Sequence, residues 1–378
     1  MLSKEGCRAR QARLVARLSE ANIDAAVINH TKEIYYYTGI IIPEEFPGQP
    51  ALLWLGADGA SLLLAHTDQG EPCVDECVTY AFNMGGTVTP TLREVMGGLI
   101  TETLQAKGLK ASRLAWQSEF LPMRHGIAIE EGIGRLPEWI AIDAVLADLQ
   151  EIKDPDEIEL LRKVVRVDMA AYAAAEETMA PGVSELEVLA AAQRAAHLAA
   201  GEKVFHDGDY QCGQPGGFAR DRKIEAGELY IIDAWSVYRN YWADLCRTFA
   251  IGEPSEVQQS VFEHLKGFHD QVGEYLRPGK DGNECAVAMD AYIRDHPKLA
   301  DVGLGHHAGH NVGMRAHQMP DLNKERGGTL RVGNVVSVEP GAYIPEVRAG
   351  VRLENMYLIT EDGLENLSPY PMELGAHV

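Results

Sequence analysis

The sequence predicts an α+β protein of two domains, and three observations carry that prediction. A chain of 378 residues exceeds what one hydrophobic core ordinarily organises. Its first part alternates helical and strand-like segments, and its second part opens on a long amphipathic helix. That second part also repeats a pattern of turns, helix starts and strand-end carboxylates, the mark of a duplicated half-domain.

Bulk composition sets the class. Hydrophobic residues make up 46% and charged residues 24%, as in ordinary globular chains. Lys and Arg number 34 against 56 Asp and Glu, a net charge of −22. Such a surface repels phosphate backbones, so nucleic acid is not expected as a partner. The opening stretch MLSKEGCRARQARLVARLSEAN carries charges throughout and lacks the apolar centre of a signal peptide. No run of about eighteen apolar residues occurs, so no membrane span is expected. The six cysteines (Cys7, Cys73, Cys77, Cys212, Cys246 and Cys285) are scattered, which favours reduced thiols and a cytoplasmic location. Cys73 and Cys77 have no second cysteine pair nearby, and no zinc site is expected of them.

The elements follow in chain order. Residues 5–21 have the spacing of an amphipathic helix, and AAVINH after them is strand-like. ALLWLGADGASLLLAH reads as two strands joined by a Gly-Ala-Asp-Gly turn. Alternating helical and strand-like segments continue to about residue 148. Residues 1–150 are therefore expected to form a compact α/β domain, without a catalytic constellation. In EIKDPDEIELLRKVVRVDMAAY, Asp154 caps a helix, Pro155 suits its first turn and Glu157 completes a capping box. A second helix is expected after Pro181-Gly182-Val183, capped by Ser184 with Glu187 three residues on. Residues 151–378 form the second domain.

Within it, Pro181-Gly182 precedes Glu187 as Pro278-Gly279 precedes Glu284, each glutamate six residues past its proline. Asp233 lies six residues past Gly227 in AGELYIID, and Glu339 six past Gly333 in VGNVVSVE. A further carboxylate follows each, Asp244 and Glu354. Taken singly, these four are turn punctuation or solvent-facing strand positions. Taken with His310 they form a candidate metal set. Four carboxylates match the charge of two divalent cations, and oxygen-rich ligation with one imidazole suits Mn²⁺, Co²⁺, Fe²⁺ or Zn²⁺. Without cations, the clustered carboxylates would repel and some would have to protonate.

GLGHHAGHNVGMRAH, residues 303–317, packs four histidines and four glycines into fifteen residues. Its glycines break any helix, so HExxH zinc-protease geometry is rejected and loop and strand are expected. The glycine spacing is wrong for a dinucleotide fingerprint, and neither a phosphate loop nor a GxSxG elbow occurs.

GHHAGHNVGMRAHQMP, VVSVEPGAYIP and GVRLENMYLIT, with IIDAWSVYRNYWADLCRTFAIG upstream, resemble the metallopeptidases of the pita-bread fold. The resemblance covers roughly residues 150–378. RLSEANIDAAVINHTKEIYYYTG resembles the accessory domain of aminopeptidase P, prolidase and creatinase, which favours the Xaa-Pro branch. The resemblance implies a curved sheet of pseudo-twofold half-domains preceded by a smaller creatinase-like domain. It implies that Asp233 binds one metal, that Asp244 and Glu354 bridge both, and that His310 and Glu339 complete the second. His306 and His317 match substrate-facing histidines, and Arg352 matches an arginine near the metals. His307 matches no ligand and is read as structural. The implied chemistry is metal-assisted hydrolysis of a short peptide, by a hydroxide between two cations, Mn²⁺ first among the candidates, with Glu339 as proton acceptor. A homodimer is implied as well.

Two positions depart from the pattern. The Xaa-Pro branch carries another histidine about seventeen to twenty-one residues before the first Asp, suited to oxyanion stabilisation. In this chain that window falls between Cys212 and Gly216, and the nearest histidine is His206. Cys246 stands where the family has a threonine. Two alternatives therefore stay open: a pita-bread metalloenzyme acting on a small non-peptide compound, as creatinase does, and a catalytically inactive binding module.

Overall fold

The computed structural model describes residues 1–43, 49–66, 70–81, 92–375 and 377, with only the backbone at Arg93. The chain divides into two compact units, Met1–Leu149 and Gln150–Val378. No helix among the described residues is long and apolar enough to cross a membrane.

The first unit holds helices α1 (Lys4–Glu20), α2 (Thr31–Thr38), α3 (Leu92–Ala106), α4 (Met123–Ile133) and α5 (Asp143–Leu149). Its strands are β1 (Ala25–Ile28), β2 (Leu52–Gly56), β3 (Ser61–His66), β4 (Glu76–Tyr80), β5 (Arg113–Trp116) and β6 (Glu138–Ala141). They form one mixed sheet in the order β4-β3-β2-β1-β5-β6. The expected hairpin is β2 and β3, antiparallel with Trp54 opposite Leu62. Ser3 caps α1 through the Gly6 amide. Two stretches of the expected alternation, 67–69 and 82–91, lie outside the described residues.

The second unit opens with α6 (Pro155–Thr178) and α7 (Glu185–Ala200). Both carry the capping boxes read from sequence, Asp154 with Glu157 and Ser184 with Glu187. The strands β7 (Phe205–Asp209), β8 (Leu229–Tyr238), β9 (Tyr241–Trp242) and β10 (Leu245–Ala250) follow. They pair antiparallel in the order β10-β8-β7, with β9 on β8. Helices α8 (Glu256–Gly267), α9 (Val272–Tyr275) and α10 (Gly282–Arg294) begin the second half. Its strands are β11 (Gly309–Asn311), β12 (Gln318–Leu322), β13 (Val335–Val338), β14 (Gly341–Ala342), β15 (Val351–Arg352), β16 (Asn355–Ile359) and β17 (Leu364–Asn366). Five of them form the order β12-β11-β13-β16-β17, and β14 pairs with β15.

The duplication is visible in backbone and core. α10 has the same kind of capping box as α7, Asp281 with Glu284. The turns that feed β8 and β13 place Gly227 at φ +85° and Gly333 at φ +90°, conformations that side chains avoid. Each half has its own apolar core. Val167, Tyr172 and Ala192 pack under Ile232 and Leu245 in one, and Phe262, Cys285 and Met289 under Val336 and Val338 in the other. The two sheets meet where Cys246 of β10 bridges to Glu354, whose amide donates to the Cys246 carbonyl at 2.9 Å. Paired half-sheets of this kind, backed by helix pairs, are the pita-bread fold.

Candidate metal centre

At that meeting line the strands deliver their carboxylates to one cavity of about 370 Å³, a size suited to a small substrate. Asp233 comes from the middle of β8, opposite Asp209 of β7 and Cys246 of β10. Asp244 precedes β10, Glu339 follows β13 and Glu354 precedes β16. His310 sits on β11, with its amide donating to Ser337 Oγ at 3.2 Å. All five residues of the predicted ligand set line the same cavity, together with His306, His317 and Arg352.

Asp233, Asp244 and Glu354 bring ligand atoms within 4.8 Å of one another, and so do His307, His310 and Glu339. A third such group joins Asp244 and His310 to His317. His310 Nε2 lies 3.6 Å from Asp244 and 3.8 Å from Glu339. The His317 ring stacks on His310 with centroids 3.6 Å apart.

Burial makes these charges costly without a counter-ion. It pushes Asp233 up to about 7, with Glu339 and Asp209 adding repulsion against the pull of Arg352. Asp244 and Glu354 are pushed well above the carboxylate range, first by burial and then by each other's neighbours, Asp233 and Glu339 among them. Glu339 is the exception. Burial acts upward on it too, but His307, His306 and His310 outweigh it and hold the group low. Burial drives His310 down to about 3, so it presents a neutral imidazole. Glu354 Oε1 is buried without a hydrogen-bond partner. A buried anionic oxygen left in that state fits a cation ligand. The residues present therefore suit divalent metal held by oxygen with one or more imidazoles.

An ordered chain of hydrogen bonds runs along one wall. Arg352 Nη2 donates to Asp209 at 2.7 Å, Nη1 to the Tyr343 hydroxyl at 2.9 Å, and Nε lies 2.8 Å from Asp233. Tyr343 is 3.0 Å from His306 Nε2, and His306 Nδ1 is 2.7 Å from the His307 carbonyl. A carbonyl only accepts, so His306 carries its proton on Nδ1 and Tyr343 donates to Nε2. Both nitrogens of His306 are thereby engaged.

The structure adds three residues to those read from sequence. His307, taken as structural, lines the cavity with Nδ1 3.1 Å from Glu339. Asp209 lines it too and is the partner of Arg352. No sequence signal marked Asp209, because register across β7 and β8 places it. Tyr343 is the third; it lies within VVSVEPGAYIP, but nothing in that segment marked its side chain as part of the site. His206 does not enter the cavity. It is buried between Ser236 Oγ at 2.9 Å and the Tyr210 hydroxyl at 2.8 Å, with Asp168 3.3 Å away. At Gly216, one end of the window for the upstream histidine, a side chain would meet the Asp209 carboxylate at 2.3 Å.

Comparison with known proteins bears on this site. Residues 159–361 match the model of metallopeptidase family M24, and residues 10–152 match the creatinase/prolidase N-terminal domain. A Xaa-Pro dipeptidase of Pyrococcus horikoshii is 32% identical over 247 residues, 63% of this chain and 68% of that protein. An uncharacterized peptidase of Bacillus subtilis is 28% identical over 367 residues, 94% of this chain and 96% of that one. The crystal structure of the prolidase from Pyrococcus horikoshii superposes with a TM-score of 0.76 at 25% identity, covering 97% of this chain and all of that one. With matching domains on both sides of residue 150 and a cavity of clustered carboxylates and histidines, this chain belongs to metallopeptidase family M24, in its aminopeptidase P and prolidase branch.

Proposed function

We propose that the protein is a dinuclear Xaa-Pro peptidase that cleaves the bond before proline in short peptides. The observation that carries the reading is the convergence of Asp233, Asp244, His310, Glu339 and Glu354 on one cavity, with Glu354 Oε1 buried and unpartnered. Asp233 would hold one cation, His310 and Glu339 the other, and Asp244 and Glu354 both. When bound, two divalent cations supply Lewis acidity and bring the pKa of water to about 7 in favourable sites. Mn²⁺ is the cation proposed first, ahead of Co²⁺, Zn²⁺ and Fe²⁺.

The chain's own groups do the rest. Glu339, kept ionised by its histidine neighbours, accepts a proton and returns it to the leaving nitrogen of proline. Arg352 pairs with both Asp233 and Asp209 and holds Tyr343 in place. His317 is the exposed histidine on the substrate side. His306 reaches a substrate only if Tyr343 turns away, so its first role is to order that wall. The relatives named Xaa-Pro dipeptidase and prolidase support the substrate class. The same reading includes a homodimer, testable by light scattering, and a cytoplasmic location consistent with free cysteines.

The test is elemental analysis of purified protein, then turnover of Ala-Pro, Xaa-Pro-Yaa peptides and creatine-like compounds with added Mn²⁺. Two metals per chain with release of the residue before proline are expected. Turnover of the non-peptide compounds alone, or protein that binds no metal, would overturn the proposal.

A further inference from the structure

Most of the cavity wall is charged or hydrogen-bonding: carboxylates, histidines and one guanidinium. Its large apolar surface comes from two residues, Trp235 and Trp242. Trp235 lies two positions after Asp233 on β8, so its indole leaves the strand on the side of that carboxylate, and Trp242, two before Asp244, lines the same cavity. The rings stand 6.4 Å apart and tilted by 41°, both half-buried. β9 carries Trp242, whose amide donates to the Gly313 carbonyl at 2.9 Å. That bond ties the indole to the loop bearing Ala316 and His317, which also line the cavity.

The cavity wall thus combines two unlike surfaces. Arg352, hydrogen-bonded to Asp209 and Tyr343 and 2.8 Å from Asp233, is polar, and the two indoles are apolar. A short peptide meets both surfaces with its amino-terminal residue, which offers an ammonium to the acidic cluster and an uncharged side chain to the aromatic faces. We propose that Trp235 and Trp242 determine specificity, forming the wall that receives the side chain of the substrate's amino-terminal residue and selecting bulky apolar residues over glycine and acidic ones. This inference rests on the Xaa-Pro peptidase reading for its substrate and on the indole geometry for its selectivity.

The test compares kcat/KM for Phe-Pro, Leu-Pro, Gly-Pro and Asp-Pro on metal-loaded protein. Wild type is expected to favour Phe-Pro and Leu-Pro over Gly-Pro by about tenfold or more, in line with pocket discrimination between apolar side chains of different size. Trp235→Ala and Trp242→Ala should bring that ratio toward one, the loss falling on Phe-Pro and Leu-Pro, with metal content unchanged. Trp235→Phe and Trp242→Phe should restore part of the preference, and they serve if the alanine variants do not fold. Binding gives a second readout. Trp235 and Trp242 are the only tryptophans of the second unit, with Trp54, Trp116 and Trp139 in the first. Free leucine, and not glycine, should change the indole emission, and the change should vanish in the double phenylalanine variant. Xaa-Pro turnover without a size preference would sink the inference and leave the peptidase reading standing. A leucine-specific emission change without any Xaa-Pro turnover would do the reverse. Unchanged preference in the variants would also overturn the wall.

Discussion

Gly309→Ala is the sharpest test of how the fold holds the proposed metal ligands. Gly309 precedes His310 on β11 and has φ +147°, a region occupied almost only by glycine. A Cβ there would lie 2.0 Å from the Ser337 carbonyl oxygen of β13, 2.7 Å from its carbon and 3.2 Å from Leu322 Cδ1. Comfortable contact between such atoms needs about 3.5 Å, so β11 and β13 must part by more than about 1 Å. The backbone conformation costs about 1–3 kcal/mol and the overpacking about 1–3 kcal/mol more. At about 2–4 °C per kcal/mol for a unit of this size, Tm should fall by roughly 5–20 °C. The separation also breaks the His310 amide contact to Ser337 Oγ and moves the imidazole away from Asp244 and Glu339. Metal affinity should drop by about 10–100-fold, as when a ligand loses its supporting contacts. Gly305→Ala is the control, since no atom lies within 4 Å of its Cβ position. Calorimetry and metal analysis of both variants decide the matter. Gly309→Ala with wild-type Tm and full metal content would refute the argument.

Further expectations follow from neighbouring groups. Glu354→Gln should lower metal content by at least one ion per chain, yet leave the metal-free protein as stable as wild type or more so. Burial and Asp244 already disfavour its charge, so equal metal binding would count against a ligand role. Arg352→Lys keeps the charge but cannot engage Asp209, Tyr343 and Asp233 together, so kcat/KM should fall by about 10–100-fold with metal retained, measured on Ala-Pro. His269 is hydrogen-bonded to the Tyr357 hydroxyl and the Leu353 carbonyl, and burial lowers it to about 4. The unfolded chain binds the extra proton near 6.5, so this stability is present above pH 6.5 and is lost as pH falls toward 4. The loss is at most about 3 kcal/mol, reduced by the ring's partial exposure. Urea titrations of His269→Gln should show a flatter pH dependence across that window, and an unchanged slope would contradict it.

Much of the fold was legible locally. The capping boxes of α6 and α7 lie within four consecutive residues each, and the structure forms both. The loop-and-strand reading of residues 303–317 followed from glycine spacing, and β11 lies there flanked by irregular segments. Asp233, Asp244, Glu339 and Glu354 could be singled out together because the duplication repeats a turn-strand-carboxylate unit, and His310 joined them through the resemblance of its histidine-rich segment. Asp209, Tyr343 and the inward-facing His307 could not. Their places depend on strand register and side-chain packing, which no local pattern encodes. The same holds for His206, whose nearness in sequence to the missing histidine says nothing of its burial beside Ser236 and Tyr210.

The sequence by itself determined the helix starts, the repeated half-domain and the residue types able to bind metal, because these rest on spacing over a few residues and on charge count. Only the tertiary structure decided that Arg352 is shared between Asp233 and Asp209, that His306 is committed to Tyr343, and that two indoles stand beside the carboxylates. Those relations join strands far apart in the chain, and they come into being when two half-sheets meet and exclude water from the groups between them.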